Sequence, residues 1–176
     1  MPPMISEPLL HRMKILIIDD ERVSVALLER LLISHGYNRV LGLSDPSKVL
    51  EVCASFNPDL ILLDLIMPDT DGFAVLEALR SSDASESFLP IVILTADVTE
   101  EAKERALEAG ATDFLVKPVS RTEALLRIRN LLETRRLNVI LENQRSALED
   151  TVREQAVELR ESSPLTADIG HLTSDL

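Results

Sequence analysis

The chain has 176 residues, 45% of them hydrophobic and 27% charged, and its 30 acidic and 18 basic side chains give a formal net charge of −12. That is enough apolar material for one well-buried domain with chain to spare, while the acidic balance argues against direct nucleic-acid binding. No apolar run reaches membrane-spanning length, residues 1–13 lack a signal-peptide core, and the single Cys53 excludes an intramolecular disulfide framework; the expectation is a cytoplasmic protein with no membrane contact.

Five short strand-like runs alternate with helical stretches. The runs are Lys14–Ile18, Arg39–Leu43, Leu60–Leu63, Pro90–Leu94 and Phe114–Val116, and the central ones are nearly continuous apolar, as strands buried on both faces are. Between the first two, Val23, Leu27 and Leu31 recur at helical spacing and Gly36 supplies a stop. Asp45-Pro46 reads as an N-cap followed by proline at the first helical position. Phe73, Leu76 and Leu79 form the next apolar stripe, Thr99 can cap a helix that stops at Gly110, and Ser120-x-x-Glu123 is a capping box. Cys53, beside Val49, Leu50 and Val52, is a small core side chain. Such alternation implies a parallel sheet with right-handed crossovers and helices on both faces.

From Thr122 to about Glu161 there is neither proline nor glycine, which predicts one helix about 60 Å long at 1.5 Å per residue. Leu125, Leu132 and Val139 repeat every seven residues; the repeat then shifts to Leu141 and Leu148, and again to Val152 and Leu159, like stutters in a heptad pattern. Beyond Leu132 the sheet has no surface left to cover, so residues from about Arg136 to Glu161 are expected to pair as a parallel homodimer. The expected organisation is an N-terminal extension (1–12), a domain (13–132), a signalling helix or coiled coil (133–161) and a polar, disordered tail (162–176).

In an open parallel sheet, ligands bind beyond the carboxyl ends of the strands. Here the first strand is followed by Asp19-Asp20-Glu21, the third by Asp64, the fourth by Thr95 and the fifth by Lys117-Pro118. Three crowded carboxylates repel one another, and a raised pKa or a hard divalent cation relieves that repulsion. Lys117 adds a fixed positive charge and Thr95 a hydroxyl donor, so a nucleophilic aspartate among them can accept a phosphoryl group. Taken singly, each residue is more often a strand-end cap or a solvated side chain; their occurrence at four strand ends of one fold is what points to chemistry.

Across roughly Met13 to Leu132 the sequence resembles the receiver domain of two-component response regulators. The motifs that carry the resemblance are Ile17-Ile18-Asp19-Asp20-Glu21, Leu62-Leu63-Asp64 running on to Asp71-Gly72, Leu94-Thr95-Ala96, and Gly110 to Pro118. The resemblance implies a flavodoxin-like five-stranded sheet in the order 2-1-3-4-5, with the long helix appended. It implies that Asp64 is the phosphoacceptor, that Asp19, Asp20, Asp64 and the backbone carbonyl of Ile66 hold Mg2+, and that Thr95 and Lys117 bind the phosphoryl group. Phe114 takes the switch-aromatic position beside Thr95, and the Lys117-Pro118 bond is cis in the family. Ile66 and Asp97, two residues beyond Asp64 and Thr95, flank the attacking water in the family; an apolar and an acidic residue there imply slow autodephosphorylation.

The implied function is phosphorelay signalling: a sensor histidine kinase or phosphotransfer protein donates, and an output domain or partner protein responds. The chain would assist only its own phosphoryl transfer and hydrolysis, and so would not be a free-standing enzyme. An aspartyl-phosphate phosphatase is the competing reading, but haloacid-dehalogenase-like enzymes carry an Asp-x-Asp nucleophile on the first strand, whereas Asp19 and Asp20 are adjacent and Asp64 stands on the third. A flavodoxin would need a phosphate-cradling loop where Asp19-Asp20-Glu21 stands, and the intact residue set argues against an unphosphorylated dimerisation scaffold.

Overall fold

The structure, a computed structural model, describes residues 7–82, 88–97 and 99–163. Strands β1 (Lys14–Ile18), β2 (Arg39–Leu43), β3 (Leu60–Asp64), β4 (Ile91–Thr95) and β5 (Asp113–Val116) form one parallel sheet in the order β2-β1-β3-β4-β5. Every residue of β3 and β4 is buried, which explains the apolar runs Leu60–Leu63 and Ile91–Leu94 ahead of Asp64 and Thr95. Alternate side chains serve opposite faces. Ile15, Ile17, Leu60, Leu62, Val92 and Leu94 pack with helices α1 (Arg22–Ser34) and the first part of α5 (Arg121–Glu161). Leu16, Ile18, Ile61, Leu63, Ile91 and Ile93 pack on the other face with α2 (Val49–Phe56), α3 (Gly72–Ser82) and α4 (Glu100–Glu108). A one-turn helix, Glu7–Leu10, precedes the sheet, and its Leu10 is buried in the first of these clusters.

The helix boundaries follow local chemistry. The Asp45 side chain accepts from Ser47 N ahead of the short turn Pro46–Lys48, and Thr99 Oγ1 accepts from Ala102 N at 3.3 Å. Gly36 and Gly110 stand just past α1 and α4 at φ of +92° and +101°, the left-handed conformation that ends helices. The capping box at Ser120 is half formed: Glu123 N donates to Ser120 Oγ at 3.4 Å, but the Glu123 carboxylate takes Arg127 Nε at 2.9 Å. Arg127 Nη1 in turn reaches Asp113 at 2.7 Å, so an ion-pair chain claims the carboxylate. Cys53 is half-buried, and burial pushes its thiol up to about 11, as befits a packed side chain.

The packing of α1 selects one of two apolar series. The stripe Val23-Leu27-Leu31 does not face the sheet: Val23 and Leu27 are 65% and 63% exposed, and Val25, Leu28 and Leu32 are buried instead. Both series have helical spacing, so periodicity cannot choose between them. The choice is made across the sheet, where the bare backbone of Gly42 on β2 receives the Val25 side chain; a Cβ at Gly42 would overlap it.

The chain divides into two units, 1–138 and 139–176, with α5 contributing to both. In the second unit the described helix is exposed at Leu141, Leu148, Val152 and Leu159. The polar tail expected from 162 lies outside the described residues from 164 onward. Among the described residues no helix is long and apolar enough to cross a membrane.

Candidate functional site

The carboxyl ends of β1, β3, β4 and β5 deliver the charged residues to one rim. Asp19 is fully buried just past β1; its amide donates to Leu43 O at 3.2 Å, and its Oδ1 accepts from Glu21 N at 2.9 Å. Asp64, the last residue of β3, is 4% exposed, and its Oδ1 accepts from Ile66 N at 3.0 Å. Lys117, which follows β5, donates from Nζ to Asp64 Oδ2 at 2.9 Å and to Asp19 Oδ2 at 3.3 Å. Its own amide is tied to Thr95 O at 2.8 Å, and the Lys117-Pro118 bond is cis, as the resemblance implied.

The loop beyond Asp64 is shaped by devices the sequence only hinted at. Ile66–Met67 and Thr70–Asp71 pair as a small antiparallel hairpin, and Asp71 Oδ1 caps α3 by accepting from Phe73 N at 3.0 Å. Gly72 is required at the start of α3: a Cβ there would come within 2.5 Å of the Leu65 backbone. The hairpin leaves the Ile66 side chain 59% exposed beside the site.

Asp19, Asp20 and Asp64 each offer a carboxylate oxygen within 4.8 Å of the others. Three negative charges face the single Lys117 ammonium. Burial raises the Asp64 pKa and the Asp19 charge adds to the rise, while hydrogen bonds from Lys117 and Ile66 N oppose it. For Lys117, burial alone would lower the pKa, but its contacts with Asp64 and Asp19 outweigh that and leave it raised, so the side chain stays cationic. The remaining negative excess and the all-oxygen donor set fit a hard divalent cation such as Mg2+.

The other sequence-singled residues sit nearby in different ways. Thr95, buried at the end of β4, has its hydroxyl turned to the next loop: Oγ1 accepts from Asp97 N at 3.0 Å and contacts Asp97 O at 3.3 Å. Phe114 is half-buried on β5, with Lys103 Nζ 5.2 Å from its ring centroid. Sequence reading missed a groove of about 700 Å³ beside Lys117, lined by Leu27, Leu28, Leu31, Pro118 and Val119. The signal was present as the series Val23, Leu27 and Leu31 on α1, read from the sequence only as helical spacing.

The response regulator receiver domain family matches residues 15–130. The chain is 39% identical over 123 residues to a protein of Porphyridium aerugineum named "Probable transcriptional regulator ycf27", covering 70% of this chain and 49% of that one. It is 40% identical over 120 residues to the response regulator MprA of Mycobacterium avium, covering 68% and 51%. Among solved structures it is similar to the chemotaxis protein CheY4 of Vibrio cholerae, with a TM-score of 0.63 at 28% identity over 68% of this chain and 98% of that one. It is also similar to the receiver domain of the Francisella response regulator 1452, with a TM-score of 0.62 at 27% identity over 70% and 98%. The chain belongs to the response regulator receiver domain family, whose members are signalling modules of two-component phosphorelays. It spans about half the length of the MprA and ycf27 relatives.

Proposed function

We propose that Asp64 accepts a phosphoryl group from the phosphohistidine of a sensor histidine kinase or phosphotransfer protein, and that the resulting acyl phosphate resets Thr95 and Phe114. The observation that carries this reading is the Lys117 ammonium held 2.9 Å from Asp64 and 3.3 Å from Asp19 at the rim where the three carboxylates meet. In the transfer an Asp64 oxygen attacks phosphorus, the P–N bond breaks, and the imidazole leaves and takes up a proton; an acyl C–O–P linkage results. Lys117 offsets the negative charge gathered on the phosphoryl oxygens. The Thr95 hydroxyl, now engaged with Asp97, turns to a phosphoryl oxygen. Asp19, Asp20, Asp64 and the Ile66 backbone carbonyl would hold Mg2+, which supplies further charge compensation when bound.

Water attack on phosphorus then breaks the O–P bond, restoring the Asp64 carboxylate and releasing inorganic phosphate. This self-directed chemistry is not that of a free-standing enzyme. The exposed Leu27 beside the Lys117 groove gives a donor protein an apolar surface next to the acceptor. The chain's similarity to longer response regulators supports an output domain or partner protein as its target, in the cytoplasm.

The exposed apolar residues beyond 138 support a parallel homodimer through α5, since burying each leucine or valine contributes about 1.5–3 kcal/mol before ordering costs. Incubation with Mg2+ and acetyl phosphate or phosphoramidate tests the acceptor role. One phosphoryl group, stable in acid and labile in base, should add to the protein and be lost in Asp64→Asn. An Asp64→Asn variant labelled at the same rate overturns it.

A further inference from the structure

Leucine recurs at 126, 137, 148 and 159, one every eleven residues. Neighbouring positions in the outer helix keep the same period: Leu141 with Val152, and Gln144 with Gln155. At about 100° per residue, eleven residues complete three turns with about 20° to spare, whereas seven fall short of two turns by the same amount. The two shifts that interrupt a heptad reading are therefore one regular pattern: the interval from Leu141 to Leu148, Val152 and Leu159 runs seven, four, seven.

The structure bears the pattern on one open face. Leu141, Leu148, Val152 and Leu159 are 62%, 66%, 64% and 71% exposed. Leu141, Gln144, Arg145, Leu148, Val152 and Ala156 are among the residues that line a single shallow groove along the helix, so the groove alone does not choose between Gln144 and Arg145 as the seam position. By helical spacing, Asn143, Asp150, Glu154 and Glu161 fall on the opposite side.

Resting on the homodimer reading above, we propose that this groove is filled by a second copy of the chain, parallel and in register, along an eleven-residue seam. Leu137, Leu148 and Leu159 meet their own copies on the axis. Leu141 packs beside Gln144 of the partner subunit, and Val152 beside Gln155 of the partner subunit; each glutamine lays its stem on the apolar seam and keeps its amide at the wet edge. Glu158 and Arg160 fall on opposite flanks of the seam, so a parallel pair brings these opposite charges together. A reversed pairing that matches Leu141 with Leu159 leaves Leu137 opposite Ser163, whereas the parallel register uses all three leucines. An eleven-residue seam gives a nearly straight pair with a slight right-handed twist, not the left-handed supercoil of heptads.

Single cysteines introduced into the full chain on a Cys53→Ser background test this by mild oxidation and non-reducing gels, alongside sedimentation equilibrium of the unaltered protein. Self-linking should be several-fold greater for Leu137→Cys, Leu148→Cys and Leu159→Cys than for Asp150→Cys. It should also be greater for Leu137→Cys than Asn138→Cys, and for Gln144→Cys than Arg145→Cys. A dimer in which Asn138→Cys and Arg145→Cys link better has a seven-residue seam, which overturns the proposal while the dimer stands. A dimer linking at only one of the three leucine positions is antiparallel and overturns the register. A monomer with no linking anywhere overturns the homodimer itself.

Discussion

The guanidinium of Arg135 is buried at the foot of the sheet, with its Nε 3.7 Å from Asp59 Oδ1 and its Nη1 donating to Phe88 O at 2.9 Å. Asp59 immediately precedes β3, the strand that ends in Asp64, and its other oxygen accepts from Lys14 N at 2.8 Å. One side chain of α5 is thus tied to the starts of β1 and β3. Arg135→Ala should destabilise the receiver by about 1–3 kcal/mol, because a half-buried carbonyl and a half-buried carboxylate lose a charged donor. Arg135→Met, which restores the packed stem, should cost less. Urea denaturation of both variants is the check; equal stability of Arg135→Ala and the parent would show that solvent replaces the contact.

Asp64 carries a pH dependence whose sign follows from its raised pKa, set mainly by burial and opposed by Lys117. A carboxyl raised by folding favours the fold when protonated and loses that contribution as pH rises through its folded pKa. Without metal at neutral pH, the ionised group therefore works against the fold. Asp64→Asn should raise the melting temperature in EDTA at pH 7, and the gain should shrink as pH falls through the raised folded pKa of Asp64 toward the ordinary carboxylate value of about 3.9. A variant that melts lower at pH 7 contradicts this balance of burial and pairing.

Metal affinity should separate ligands from neighbours. Asp20→Ala removes one of the three carboxylates that lie within 4.8 Å of one another, whereas Lys117→Ala removes a cation that competes for Asp19 and Asp64. Mg2+ should bind far more weakly to Asp20→Ala than to the parent, and equally or more tightly to Lys117→Ala. Calorimetric titration showing one affinity for all three proteins would remove the site.

Much of the fold was legible because buried parallel strands announce themselves as apolar runs, and their order follows from the family motifs. The rim was legible for a related reason: in a parallel sheet, residues that follow successive strands are neighbours, so Asp19, Asp64, Thr95 and Lys117 converge whatever the intervening loops do. What stayed hidden depends on partners distant in sequence. Arg80, at the end of α3, donates to Gly110 O at 2.7 Å and Leu89 O at 2.8 Å, a clamp with no local signature. The buried face of α1 was likewise set by Gly42 on a strand, not by the helix's own period.

The lifetime of an acyl phosphate on Asp64 should be long. Ile66, exposed beside the site, has no group to orient water, and Asp97 is an exposed carboxylate whose pKa is lowered by its hydrogen bonds from Thr99. It therefore carries full negative charge at neutral pH. Release of inorganic phosphate from the labelled protein should take many minutes or longer, and Ile66→Asn, which supplies a polar group for water, should shorten it. Hydrolysis within seconds in the parent contradicts the reading.

The residue on which the phosphoryl group lands decides whether Asp64 is the acceptor. Borohydride cleaves an acyl phosphate by reducing the acyl carbon, which converts a phosphorylated aspartate to homoserine and releases phosphate. The protein labelled with acetyl phosphate and Mg2+, reduced in this way and digested, should yield homoserine at position 64 alone by peptide mass. Homoserine at Asp19 or Asp20, or a label on any other residue with position 64 unmodified, would contradict it.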